Sequence, residues 1–160
     1  MMKTRLFAAF LMLAAAGVAE AGGQPGSIGV GAEAQLSGLS GASMNYDAGE
    51  FHVGAFLGFH DPGGPDDDAL VLGGRFFYHL HSTTASDFGL GGTIGIGSQN
   101  SPGDRLTLLY LEPGFQIRMF LASNVALSFN AGVSIGVMDA DNVDLGGQLN
   151  AGAGIHYYFF

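Results

Sequence analysis

The chain has 160 residues, a formal net charge of −9 at pH 7 and only 12% charged residues. A soluble domain normally covers itself with charges of both signs, which make up about a quarter of its residues, so much of this protein's surface need not face water. The acidic balance argues against binding to nucleic acid, whose phosphates would be repelled. The sequence contains no cysteine, so no disulfide supports the fold.

The first 21 residues are predicted to be a cleaved secretory signal peptide. Lys3 and Arg5 precede a small and apolar run of 14 residues, Leu6–Ala19, and Ala19–Ala21 is an A-x-A cleavage pattern. The alternative is a membrane-spanning helix, but such a helix needs about 20 apolar residues. The sequence therefore predicts a signal peptide at residues 1–21 and one domain at residues 22–160. That domain contains three arginines, no lysine and thirteen acidic residues.

The domain alternates between apolar and small or polar residues with a period of two, which is the pattern of β-strands. In the stretch from Val125 to Val137 every odd position is apolar, whereas the even positions are alanine, serine, asparagine or glycine. No helical periodicity of 3.6 residues persists. The same alternation predicts eight strands, at Ser27–Leu36, Ala42–Asp47, Glu50–His60, Ala69–His81, Asp87–Gly97, Leu106–Leu121, Val125–Val137 and Val143–Phe159.

The predicted connections alternate between short turns and mostly longer loops. The short turns lie around Asp47–Gly49, Ser82–Ser86 and Ala122–Asn124, and the others, rich in Gly, Pro, Asp and Asn, at Ser37–Gly41, Asp61–Asp68, Ser98–Arg105 and Asp139–Asn142. Short turns on one rim and longer loops on the other are typical of outer-membrane barrels, in which the short turns face the periplasm. Pro113 cannot donate to a ladder, so a bulge or kink is expected there.

The two faces of the strands differ in a way that favours a membrane barrel. The mid-strand charges Glu33, Arg75, Glu112 and Arg118 all fall on the small, glycine-rich face. A soluble barrel would turn that face to water, although it carries almost no charge, whereas a membrane barrel turns its apolar face to lipid and its polar face inward. The sequence therefore predicts an all-β fold, an eight-stranded antiparallel up-and-down transmembrane β-barrel. A soluble periplasmic ligand-binding barrel is the alternative that this argument disfavours.

The four inward charges are predicted to form a polar network that plugs the lumen. An eight-stranded barrel has room inside for side chains and little more, and an unpaired charge buried there would be strongly penalised. Glu33, Arg75, Glu112 and Arg118 balance two against two. We therefore expect at least one Glu–Arg contact across the lumen, and we choose Glu112 with Arg75 or Arg118.

These features together resemble the small eight-stranded outer-membrane barrels of the OmpA and OmpX type. The resemblance covers the mature chain and rests on the signal peptide, the eight alternating strands, the loop order and the aromatic last strand ending in Phe160. It implies an outer-membrane location in a Gram-negative bacterium, contact with membrane lipid and lipopolysaccharide, recognition of the last strand by the assembly machinery, and a monomer. It also implies that Phe160 faces lipid, whereas the alternation assigns Tyr157 and Phe159 to that face.

Two groups of residues are candidates for metal binding. His52 and His79 are predicted to point inward near the periplasmic rim, where imidazoles could hold a transition metal; the simpler interpretation is that they fill polar positions. The longer loops are acidic and could hold Ca²⁺ or Mg²⁺; the simpler interpretation is a solvated loop that its charge keeps soluble. The candidate loop ligands are Asp66, Asp67, Asp68, Asp139, Asp141 and Asp144.

The function predicted from the sequence is that of a non-enzymatic outer-membrane barrel, structural or interacting through its loops, with no cofactor. A lipid-modifying hydrolase or acyltransferase is the alternative, because such an enzyme needs a serine beside a histidine base. The pair His81–Ser82 meets that need in sequence. It falls at a periplasmic turn, however, far from the outer-leaflet lipid that such an enzyme would attack.

Overall fold

The computed structural model describes residues 24–60, 69–101, 104–138 and 148–159. Eight antiparallel strands form one closed barrel in chain order, and β1 pairs with both β2 and β8. The predicted all-β fold with eight strands is confirmed. The strands are β1 Ile28–Ala34, β2 Ser40–Asp47, β3 Phe51–His60, β4 Ala69–Ser82, β5 Ser86–Ser101, β6 Asp104–Ala122, β7 Val125–Met138 and β8 Gln148–Phe159.

The two ends of the barrel differ in their connections. One end, here called the turn rim, has the short turns at residues 48–50, 83–85 and 123–124. The other, the loop rim, has the connections at residues 35–39, 61–68, 102–103 and 139–147. The predicted loop Ser98–Arg105 is wrong for most of its length, because β5 and β6 continue as a hairpin and leave only two residues between them. The alternation of loop lengths therefore fails at this one connection.

Register shifts occur at two places, between His79 and His81 and between Phe120 and Ala122. Both lie near the turn rim. Of the bulge or kink expected at Pro113, the bulge is wrong, since the pairing of β6 with β7 keeps the same register from Leu111 to Gly114, although residues 112 and 113 have no partner in that ladder. Pro113 instead pairs with Gly92 of β5, on the other side of the strand. None of the described residues forms a helix long and apolar enough to cross a membrane.

The predicted division into two faces is present in the structure. Large apolar side chains cover the outside, including Leu72, Ile94 and Leu111, each at least half exposed. In contrast, every charged strand side chain that the structure describes is buried: Glu33, Asp47, Arg75, Asp87, Glu112 and Arg118. The polar interior and the apolar exterior are thus the inverse of a soluble barrel.

Interior glycines make room for the few large rings in the lumen. A Cβ placed on Gly29 would lie 2.8 Å from the ring of Tyr158, and a Cβ on Gly73 would overlap the ring of Phe56. Both rings are almost fully buried. The glycine-rich inner face therefore follows from the narrow interior of an eight-stranded barrel.

The aromatic last strand closes the barrel. Residues Ile28 to Ala34 of β1 pair with Phe159 to Ala153 of β8. Tyr157 and Phe159 are about half exposed on the outer face, and Tyr158 is 1% exposed inside. The alternation predicted for Tyr157 and Phe159 is confirmed, while Phe160 and the predicted signal peptide lie outside the described residues.

Candidate functional site: the polar interior

Arg118 forms the ionic centre at the turn-rim end of the lumen. It lies on β6, and its Nη2 atom is 2.6 Å from Asp47 Oδ2 on β2, the opposite strand of the ring, and 2.6 Å from Asp87 Oδ2 on β5. Arg118 Nη1 donates to the hydroxyl of Tyr158 at 3.0 Å. The guanidinium also lies 5.0 Å from the ring centroid of Phe120, within the range of a cation–π contact. Arg118 therefore connects β5, β6 and β8 with β2 on the opposite side of the lumen.

Arg75 forms a second centre nearer the middle. Its Nη1 atom makes an ion pair with Glu33 of β1, three strands away around the ring. Arg75 Nε donates to Asn45 Oδ1 at 3.0 Å. On the other side of Glu33, Asn130 Nδ2 donates to Glu33 Oε1 at 3.3 Å, and Asn130 Oδ1 accepts from Gln116 Nε2 at 2.8 Å. A continuous set of polar contacts thus runs from β2 and β4 to β6 and β7.

Glu112 lies at the loop-rim end and is satisfied differently. Its Oε1 atom accepts from the backbone N–H of Ser37 at 2.6 Å and from Ser134 Oγ at 3.2 Å. Its Oε2 atom accepts from the backbone N–H of Leu36 at 3.1 Å. The expected pairing of Glu112 with Arg75 or Arg118 is therefore wrong, because neutral donors occupy both carboxylate oxygens.

The structure thus places all four predicted network residues in the lumen but joins only one Glu–Arg pair, Glu33 with Arg75. The sequence argument missed Asp47 and Asp87, which supply the partners of Arg118. Their signal was available, since Asp47 shares its parity with the inward Asn45 and Asp87 shares its parity with the inward Gly89. Both were overlooked because they stand at strand ends, where acidic residues are common in turns.

His52 and His79 contact each other directly near the turn rim. His79 Nδ1 lies 2.6 Å from the carbonyl oxygen of Gly49, which can only accept, so Nδ1 carries the proton. In the neutral ring His79 Nε2 then accepts from His52 Nδ1 at 2.8 Å. Three of the four ring nitrogens are thus engaged within the protein. Among the described residues no group of three or more His, Cys, Asp or Glu side chains could hold a metal ion.

The remaining candidate sites are the serine–histidine pair and the acidic loops. His81 and Ser82 are both exposed at the turn rim. A different pair, Ser43 Oγ and His156 Nε2, lies 2.6 Å apart inside the lumen, but Glu33 approaches the same Nε2 atom at 3.9 Å. A catalytic triad needs the acid at the other ring nitrogen, so this pair does not form one. The six candidate loop aspartates lie outside the described residues.

Comparison with known proteins shows the fold. No protein-family model and no curated protein sequence matches the chain. The structure is similar to the crystal structure of the N-terminal β-barrel domain of Pseudomonas aeruginosa OprF, with a TM-score of 0.58 and 15% sequence identity. The match covers 84% of this chain and 98% of that domain. The barrel fold expected from the sequence resemblance is therefore confirmed by a solved structure.

Proposed function

We propose that this protein is a non-enzymatic outer-membrane β-barrel whose lumen is plugged by its polar network. The observation that carries the proposal is the inverted distribution of residues, with the described strand charges inside and bulky apolar side chains outside. Water on the outside would leave that apolar surface exposed, whereas lipid would solvate it. A signal peptide at residues 1–21 would supply the export route.

The height of the apolar surface fits a bilayer. On β6 every outward side chain from Leu109 to Leu121 is apolar. These 13 residues extend about 40 Å along the strand at about 3.3 Å per residue, or roughly 30 Å along the barrel axis at a tilt of about 40°. Outer-membrane barrels have an apolar band about 25 Å tall.

The lumen contacts support a closed interior. Arg118 reaches from β6 to Asp47 on the opposite strand, and Glu33 meets Arg75 across three strands. Both contacts cross the space through which an ion would have to pass. We infer that the barrel acts as a structural or interacting protein rather than as a pore. Its partners are then membrane lipid and lipopolysaccharide, the assembly machinery that reads the last strand, and ligands of the acidic loops at residues 61–68 and 139–147.

A heat-modifiability gel on fractionated membranes tests the location. The protein should be recovered with the outer membrane, require detergent for extraction, and migrate differently before and after boiling, because a closed barrel resists SDS until it is heated. A soluble periplasmic protein of the same cells serves as the control. Recovery in the soluble fraction after gentle lysis would contradict the proposal and favour a soluble ligand-binding barrel.

Planar-bilayer recordings test the plug separately. The purified protein should be nearly non-conducting, while a general porin inserted under the same conditions gives the reference conductance. A stable open pore of porin size would contradict the plugged lumen and leave the membrane location intact. Lipid analysis after deletion of the gene tests the alternative of a lipid-modifying enzyme, which requires a changed lipid profile.

A further inference from the structure

The segment between β1 and β2, residues 35–39, folds inward over the loop-rim mouth of the barrel. Two hydrogen bonds close it as a tight turn, from Gln35 N to the Leu39 carbonyl at 2.7 Å and from Gly38 N to the Gln35 carbonyl at 3.0 Å. Gly38 has φ +86°, a backbone conformation that glycine adopts readily. Leu36 is consequently 7% exposed, with its side chain against β7 at Gly132.

One carboxylate holds this segment in place. Glu112 is 2% exposed and accepts from the N–H groups of Leu36 and Ser37 through different oxygens. Hydrogen bonds to a charged acceptor are about twice as strong as neutral ones. Because both donors belong to the segment, its inward position depends directly on the charge of Glu112.

The inward position also has a cost. Gln35 Nε2 and Ser37 Oγ are buried without a hydrogen-bond partner among the described residues. A buried polar group without a partner is unfavourable, and water satisfies it once it is exposed. Swinging the segment outward would therefore relieve two groups, while it would expose Leu36 and break both the bonds to Glu112 and the bond that Thr93 Oγ1 donates to Gln35 Oε1 at 3.1 Å. Only a few contacts thus favour the inward over the outward position, and segments with few contacts are the ones that open locally.

We propose that residues 35–39 are a lid on the loop-rim mouth and that Glu112 is the latch that keeps the lid closed. An open lid turns Leu36 outward and exposes a vestibule floored by the Glu33–Arg75 pair. Glu112 acts through the lid and is therefore a positioning residue. The proposal needs the barrel fold but not the membrane location, so it stands or falls independently of the proposed function.

Thiol labelling tests the lid, because the chain contains no cysteine and a single introduced thiol reports alone. Leu36→Cys in the folded full mature chain should react slowly with a charged maleimide. Adding Glu112→Gln should raise the labelling rate about tenfold or more, the change expected when a hydrogen bond to a charged group is lost. Amide hydrogen exchange of Leu36 and Ser37, measured by NMR with and without Glu112→Gln alone, gives the same test if the cysteine variant does not fold.

The control separates lid opening from general unfolding. Ala126→Cys introduces a thiol at a buried interior position near the turn rim, and its labelling should stay slow with and without Glu112→Gln. Equal labelling of Leu36→Cys in both backgrounds overturns the proposal, as does equal amide exchange of Leu36 and Ser37. Fast labelling of Ala126→Cys in the Glu112→Gln background also overturns it, because the whole barrel would then be opening.

Discussion

The two ends of the lumen satisfy buried carboxylates by different means. At the turn rim, Asp47 and Asp87 share the guanidinium of Arg118, and all three residues lie on strands. At the loop rim, Glu112 is satisfied by two backbone N–H groups and one hydroxyl. The first arrangement is fixed by the barrel itself, whereas the second depends on where a short connection lies. Charge pairing therefore ties the strands together at the turn rim, whereas hydrogen bonds from neutral donors tie a loop to the strands at the loop rim.

The largest effect is expected from Arg118→Leu. The substitution leaves Asp47 and Asp87 buried without their shared cation, and removing one partner of a buried ion pair typically costs about 3–5 kcal/mol. Urea unfolding of the protein refolded into lipid vesicles measures the free energy of unfolding.

The control for Arg118→Leu adds Asp47→Asn and Asp87→Asn. Neutral amides need no cation, so the triple variant should recover a large part of the lost stability. A loss below about 1 kcal/mol in the single variant, the size typical of an exposed pair, would show that the turn-rim centre does not stabilise the barrel.

The pair Glu33 and Arg75 should behave as one unit near the middle of the lumen. Glu33→Gln and Arg75→Met should each destabilise the barrel, and the double variant should lose less than the sum. A double-mutant cycle on the free energy of unfolding should give a coupling of about 1–3 kcal/mol. Additive losses would mean that the cross-lumen contact carries no interaction energy of its own.

The fold was predictable from the sequence because every strand alternates apolar residues on its outer face with small or polar residues on its inner face. Alternation over Val125–Val137 needs no knowledge of distant residues, and β7 was predicted to within one residue at its end. The sequence predicts too short a hairpin for β5 and β6, because the stretch Ser98–Arg105 contains the Asn, Pro, Gly and Asp residues that are typical of loops. Pairing along the neighbouring strand extended the hairpin beyond the apolar band.

The lumen network was harder to predict because partner choice depends on the stagger between strands. The alternation along each strand assigns four charged residues to the inner face, namely Glu33, Arg75, Glu112 and Arg118. It does not show how far along the barrel axis each side chain lies. The expectation that two carboxylates pair with two arginines also leaves out the backbone N–H groups, which can donate hydrogen bonds to a buried carboxylate. The N–H groups of the β1–β2 connection satisfy Glu112 without any cation, and a sequence pattern does not reveal which loop folds inward.

A smaller effect is expected from Glu112→Gln at the loop rim. The amide keeps one acceptor oxygen but turns an N–H₂ group toward a second backbone donor, so one N–H loses its partner. The cost should be about 1–3 kcal/mol, below that of Arg118→Leu, in the same urea titration. Ser134→Ala, which removes only the hydroxyl donor to Glu112, serves as the control and should cost about 1 kcal/mol. A loss from Glu112→Gln as large as that from Arg118→Leu would erase the difference between the two ends.

The smallest effect is expected from Tyr158→Phe, which keeps the ring but removes the hydroxyl. That oxygen accepts from Arg118 Nη1 at 3.0 Å and from Asn45 Nδ2 at 3.5 Å, so its loss should cost about 1 kcal/mol. Tyr157→Phe is the matched control, because Tyr157 is the next residue and lies 46% exposed on the outer face. Removal of its hydroxyl should change the free energy of unfolding by no more than about 0.5 kcal/mol. Equal losses from the two substitutions would mean that the Tyr158 hydroxyl does not support the turn-rim centre, and the stability of that end would then rest on Arg118 and its two aspartates alone.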